Sequence, residues 1–311
     1  SGERIFKRSD LRSSGYTPTC VFDFKLNEKD VKSEGKKSWR TNPTGVERLK
    51  LANRLFFLGD AIYFRQYHAD FPLMNIENSW TDTAAGFSDP KTYVVQTHDK
   101  IISRCMLMTT DPGDLVLDPT CGSGTTAHVA ERWGRRWISC DTSRVAVTLA
   151  KQRLMTAGYD YYELAYPHEG LKGGFLYKSV PHITLGAIAN NPDINPIYDR
   201  LHPAIEAALA ALNAALAQHP PAEPLAVTEG VRKGQKLALG KKGVALHEWE
   251  VPFPHDDGAP PTGWPDALRE PFNAFHAARQ RMQAEMDRSI AANAESETLY
   301  DKPEPSKTKL R

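Results

Sequence analysis

Apolar and polar positions change their period several times along the 311 residues, and each change predicts an element. "CVFDFKL" (20–26) and "AIYFRQYHA" (61–69) read as short strands. Between them Val46, Leu49 and Leu55 fall on one side of a helix expected over Gly45–Leu55. "TYVVQTHDKIISRCMLMT" (92–109) suits a helix with Ile101, Ile102, Cys105 and Met106 inward, closed by "DPGD". The unbroken apolar run Leu115–Leu117 predicts a buried parallel strand, and Trp137–Cys140 a second one. Downstream, "YYELAYP" and "GFLYKSV" are aromatic-rich strand candidates parted by a hairpin, "HEGLKG". An alanine-rich helix beginning at Ala204 ends at prolines. "EGVRKGQKLALGKKG" (229–243) reads as a surface loop, and a last helix near Asp266–Glu295 precedes a frayed tail, "YDKPEPSKTKLR". The elements divide into a mixed α+β region over 1–90, a denser α/β region over 91–190 and a mainly helical extension over 191–311.

Composition narrows the function classes. A formal net charge of +1 gives no whole-chain polyelectrolyte argument for nucleic acid. Ser1–Lys50 nevertheless holds twelve Lys and Arg against seven Asp and Glu, an excess that suits phosphate contacts or a solvated surface. Cys20, Cys105, Cys121 and Cys140 lack paired zinc-ligand spacing, and the scattered His add no metal site. A reduced setting in the cytoplasm is expected. The longest apolar stretch, Ala204–Ala217, is interrupted by Glu206 and Asn213 and is shorter than the roughly 20 residues that span a bilayer. "SGERIFKRSD" does not have the form of a signal peptide, and its start without Met predicts an excised segment.

Candidate chemistry concentrates in "LVLDPTCGSGTTAHVAERWGRRWISCDTS" (115–143), which reads as strand, glycine turn, helix, strand and acid. Asp118 sits at the carboxyl end of the first strand, where open α/β sheets place ligands. Gly122 and Gly124 permit close approach of a ligand or a positive φ, and Thr125 and Thr126 open a helix whose amides face the cleft. Asp141 ends the second strand about 20 residues past the first glycine, the offset of a ribose-binding acid. Spacing separates three cofactors. A nicotinamide dinucleotide site wants a third glycine where Ala127 stands, and a Walker loop wants a lysine after Gly124. The remaining form, D-P-x-x-G-S-G-T-T, resembles the S-adenosylmethionine loop of amino-methylating DNA methyltransferases.

The resemblance extends to the permuted β class of bacterial site-specific DNA methyltransferases, related to the modification subunits of type III restriction systems. In that family a Y-P-T-Q-K-P segment before the glycine loop completes the methionine end of the pocket. Tyr93, Val94, Val95, Gln96, Thr97 and His98 stand there, of which Tyr93 and Gln96 match. "RRWISCDTSRVAVTLAKQRL" is similar to the next motif and places Asp141 on the ribose. "GKKSWRTNPTGVERLKLANRL" and "NSWTDT" resemble the region that carries target recognition. The resemblance covers Gly35–Leu154. It implies a cofactor site of Asp118, Pro119, Thr120, Cys121, Gly122, Ser123, Gly124, Thr125 and Asp141, with Gln96 and Thr97 at the methionine carboxylate. Lys36, Lys37, Trp39 and Arg40 become DNA contacts, with Trp39 and Trp80 as stacking candidates. His98 beside Asp99 reads as a helix-capping residue.

These enzymes hold an extruded base with a D/N/S-P-P-Y/F/W loop. The Pro-Pro pairs here, "HPPAE" (219–223) and "APPT" (259–262), have neither the acid before nor the aromatic after. In the permuted order that loop precedes the recognition region, so it is expected upstream of Ser1. The sequence therefore predicts an α/β protein: a partial Rossmann-like S-adenosylmethionine methyltransferase sheet with an α+β N-terminal region and a helical C-terminal extension. Its expected function is part of a DNA methyltransferase acting on an exocyclic amine of double-stranded DNA, adenine N6 first and cytosine N4 second, inactive by itself and with a restriction subunit or its own upstream part as partner. A DNA- or partner-binding module with a vestigial loop, and a dinucleotide-dependent oxidoreductase, are the alternatives from other classes. A sheet missing its neighbouring strands should also leave an apolar face and an open edge.

Overall fold

The computed structural model describes residues 5–33, 37–83, 96–241, 243–255 and 258–306. In chain order they form β1 (Phe6–Asp10), β2 (Phe24–Leu26), β3 (Lys29–Val31), α1 (Pro43–Leu51), β4 (Leu55–Leu58), β5 (Ala61–Tyr67), α2 (Asp99–Thr109), β6 (Leu115–Asp118), α3 (Thr125–Arg132), β7 (Arg136–Ser139), α4 (Arg144–Thr156), β8 (Tyr177–His182), α5 (Leu185–Ala189), α6 (Ile194–Gln218), β9 (Leu225–Ala226), β10 (Lys236–Leu237), α7 (Arg269–Asn293) and β11 (Glu295–Pro303). Two compact units result, and each is discontinuous: residues 1–72 with 181–296, and residues 73–180 with 297–311. The sequence reading expects three consecutive stretches instead.

In the first unit, β1, β5 and β4 make an antiparallel sheet in that order. Its inner residues Leu55, Ile62 and Phe64 share a core with α1, α5, α6 and α7. Asn42 caps α1 by accepting from the Gly45 amide at 2.8 Å, Pro43 supplies the preset φ of the first turn, and Val46 and Leu49 face the core as expected. The helix stops four residues earlier than its apolar spacing predicts. Asn53 takes φ +55°, a left-handed conformation Asn tolerates, and Leu55 is buried from β4 instead. Arg54 and Asp70, both almost fully buried, form an ion pair at 2.6 Å over the Tyr67 ring.

Tertiary packing changed three further expectations. Helix α6 begins ten residues before Ala204 and carries Pro203 inside it, because Ile194 and Ile197 extend the apolar stripe that meets Phe272, Phe275, Met282 and Met286 of α7. Within the expected surface loop, β10 pairs with β9, and Leu237 and Leu239 are buried. The first four residues of the expected frayed tail, 300–303, belong to β11, which pairs with β8 and sets Tyr300 edge-on to Tyr177 at 5.3 Å, and 307–311 lie outside the described residues. Among the described residues no helix is long and apolar enough to cross a membrane.

The second unit contains the parallel pair β6–β7, joined through α3, in register from Leu115↔Arg136 to Asp118↔Ser139. Among the described residues this pair is the extent of its parallel sheet, so the class is α/β with several small sheets. One face packs Val116 and Trp137 against Met106 of α2 and against Val129, Ala130 and Trp133. The other leaves Leu115, Leu117 and Ile138 about half exposed or more, so the strand expected to be buried on both faces is covered on one. Cys105, expected inward on α2, is exposed, whereas Met106 is buried. The expected hairpin is present in outline, as Leu176 donates to Glu163 and Ala165 to Gly174, but a 3-10 turn over Pro167–Gly173 joins its arms.

Candidate cofactor site

The β6–β7 register brings two acids to the same end of the parallel pair. Asp118 is the last residue of β6, and Asp141 lies two residues beyond β7. Cys140 donates to the Asp118 carbonyl at 2.8 Å and Cys121 to the Cys140 carbonyl at 2.9 Å, so the glycine turn is laced onto the end of β7. Asp141 accepts from the Gly122 amide at 2.9 Å through one oxygen and from the Ser143 amide at 2.8 Å through the other. Those backbone donors, Ser143 first and Gly122 next, hold its carboxyl below the usual carboxylate range. Each carboxylate oxygen can accept two hydrogen bonds, so one acceptor position stays open on each, a pair that suits the two hydroxyl donors of a ribose diol. Asp118 turns one oxygen to the Thr120 amide at 3.0 Å, the local role of a strand-end acid.

The two glycines differ in purpose. Both have positive φ, +52° at Gly122 and +74° at Gly124. A Cβ on Gly124 would stand 2.8 Å from the Ala150 Cβ, so its bareness also serves the packing of α3 on α4, beside the positive φ that the sequence predicts. Thr125 and Ser123 are buried with their hydroxyls 3.4 Å apart. Burial, with Asp141 and Asp118 adding to it, pushes the Cys121 thiol up and favours its protonated form. Pro119 and Thr120 are exposed on the turn, Gln96 is half-buried and Thr97 exposed just before α2. His98 caps α2, its Nδ1 accepting from the Lys100 amide at 3.1 Å, as expected. Tyr93, Val94 and Val95 lie outside the described residues.

The expected DNA contacts separate. Trp39 is 2% exposed, donates to the Phe22 carbonyl and packs edge-on to Phe24, so it is a core residue with no face for a base. Arg40 and Lys37 are exposed, with Arg40 donating to Ser9 and to the Asp10 carbonyl, while Lys36 lies outside the described residues. Trp80 is covered by the Arg104 guanidinium at 5.2 Å. That guanidinium also grips Asp82 with two hydrogen bonds of 2.8 Å and holds its carboxyl down at about 2, so "NSWTDT" is fastened to α2. The two Pro-Pro pairs lie in the first unit and the glycine turn in the second. Among the described residues no His, Cys, Asp and Glu group could hold a metal ion.

Sequence reasoning missed a polar network behind the turn. Arg153 of α4 donates to Thr125 at 3.1 Å and approaches Asp99 at 3.4 Å, and Arg132 of α3 stands 3.6 Å from the same Asp99. Only the i, i+4 spacing of His128 and Arg132 hinted at any of it.

Strand, glycine turn, helix and strand, with an acid at the end of the first strand and another just beyond the second, form one continuous segment of an α/β protein. Residues 12–152 match the model of a DNA methylase family. Over 59 residues the chain is 42% identical to the type II methyltransferase M2.DpnII of Streptococcus pneumoniae, and equally to the type II methyltransferase M2.LlaDCHI of Lactococcus lactis subsp. cremoris. Those stretches cover 19% of this chain and 22% of each relative, so the chain spans about a fifth of the length of the curated relatives it matches. The resemblance to amino-DNA methyltransferases is thereby borne out over residues 12–152.

Proposed function

We propose that this chain is the cofactor-binding part of a β-class DNA methyltransferase that moves a methyl group from S-adenosylmethionine to an exocyclic amine of double-stranded DNA, adenine N6 in the first instance and cytosine N4 in the second. The observation that carries the reading is the Asp141 carboxylate, fixed by Gly122 and Ser143 amides at the carboxyl end of β7. When bound, the cofactor supplies an electrophilic methyl on a sulfonium. The chain's own residues bind and orient it: Asp141 at the ribose, Asp118 and the Pro119–Thr125 turn around the methionine portion, Gln96 and Thr97 at its carboxylate. Lys37 and Arg40, exposed and cationic, serve the phosphate backbone, with Lys36 assigned beside them on sequence alone. A restriction subunit or a further part of the same protein is the proposed partner, and the reading places the protein with its DNA in the cytoplasm. Titration calorimetry tests it. S-adenosylmethionine should bind in preference to NAD and ATP, and Asp141→Ala should weaken it by about tenfold, the loss of one charge-assisted contact. Equal affinity in the variant removes Asp141 from the site, and preference for NAD revives the oxidoreductase reading.

A further inference from the structure

Gln96 and Thr97 would touch the cofactor only if something holds the start of α2 against the glycine turn. The residues that do so lie outside the glycine turn and the Gln96–Thr97 segment. Asp99, the first residue of α2, meets two guanidinium groups from two other helices: Arg153 of α4, with 3.4 Å between Nη2 and Oδ1, and Arg132 of α3, with 3.6 Å between Nη2 and Oδ2. The same Arg153 extends its other terminal nitrogen to the Thr125 hydroxyl at 3.1 Å. Thr125 is 6% exposed, directly follows Gly124 and lies 3.4 Å from the Ser123 hydroxyl. One planar side chain thus spans from the segment after Gln96–Thr97 to the helix that begins behind Gly122–Gly124.

The group beneath this link is built to leave it cationic. Arg132 can only donate, so the His128 Nε2 it meets at 3.1 Å accepts, and the proton on Nδ1 goes to the Tyr159 oxygen at 3.0 Å. Burial first, then Arg153 and Arg132, pushes the His128 imidazole down, which keeps it in that neutral form. The cluster therefore sets two guanidinium groups, from α3 and α4, against the Asp99 carboxylate at the start of α2.

We propose that Arg153 and Asp99 are positioning residues for the carboxylate end of S-adenosylmethionine: they hold Gln96 and Thr97 in register with the glycine turn and leave the ribose end to Asp141. The inference rests on the S-adenosylmethionine reading above. A purely structural brace would affect every ligand of the site alike, whereas a positioning role aimed at the methionine end distinguishes ligands by what they carry there.

The test is titration calorimetry on the full chain with three probes: S-adenosylmethionine, its decarboxylated form, which lacks only the carboxylate, and methylthioadenosine, which lacks the amino-acid end. Arg153→Ala should weaken S-adenosylmethionine by about tenfold and shift the two analogues by less than about twofold. Asp99→Asn, which keeps shape and removes charge, should reproduce that pattern and guards against a folding defect in the alanine variant. Uniform weakening of the probes, or no change with any of them in both variants, overturns the positioning role and leaves the cofactor reading standing. Failure of the unaltered chain to bind S-adenosylmethionine overturns both.

Discussion

The first unit surrounds Leu11, Ile205, Phe272 and Ile290, each fully buried, with apolar residues from its sheet and helices. The second unit buries only Met106, Val129, Ala130 and Trp133 in its described cluster and leaves Leu115, Leu117 and Ile138 of its parallel strands in water. The unit with the closed core contributes exposed cations. The unit with the half-covered sheet carries the acids and amides of the candidate site. The larger apolar core and the acid-bearing strand ends fall in different parts of the chain, and a strand end lined with carboxylates and free amides is a poor place to bury apolar area.

The difference breaks most directly in the first unit. Phe272→Ala should cost about 3 to 5 kcal/mol in urea unfolding, since the ring is fully buried between Trp264 and His276 and leaves a cavity behind. A cost below about 1 kcal/mol would mean that this core collapses freely and is no better packed than its counterpart.

A smaller effect is carried by pH. His276, 8% exposed, donates to the Pro252 carbonyl at 3.0 Å, and burial followed by the Arg279 charge takes its imidazole down to about 4 from the ordinary 6.5. The folded pKa is depressed, so the unfolded chain takes up a proton first as the solution is acidified. Stability is complete above pH 6.5 and falls by about 2 to 3 kcal/mol as the pH drops through 4. His276→Gln should flatten that slope in unfolding curves measured across the range, and an unchanged slope would assign the acid sensitivity elsewhere.

The smallest effect belongs to the second unit. Leu117→Asn or Ile138→Asn should change unfolding stability by less than about 0.5 kcal/mol, because both side chains already face water, and should reduce self-association in sedimentation runs at rising concentration. A loss above about 2 kcal/mol would show that this face is covered in solution and that the two units differ less than their cores suggest.

Periodicity and spacing made the local part of this protein legible. The Pro43–Leu51 helix, the strand–turn–helix–strand order of 115–139, the His98 cap and the Asp141 offset all depend on residues within about 30 positions of one another, where apolar spacing, capping atoms and glycine φ act directly on the backbone. The sequence offers Trp39 as a stacking residue because it does not state which side chains meet the ring, and Phe22, Phe24 and Arg12 decide that. The packing need for a bare Gly124 is not legible in the sequence, because Ala150, which supplies the contact, is 26 residues away. The link from Asp99 through Arg153 to Thr125 joins three helices across a span of 54 residues, and neither hydrophobic pattern nor motif spacing encodes such a contact. The sequence by itself determined the helix after Asn42, the strand–turn–helix–strand order of 115–139 and the motif that marks the candidate site. Tertiary structure alone decided which strand face stays open, which glycine serves packing and which charges meet behind the turn, because those outcomes depend on side chains brought together by chain closure.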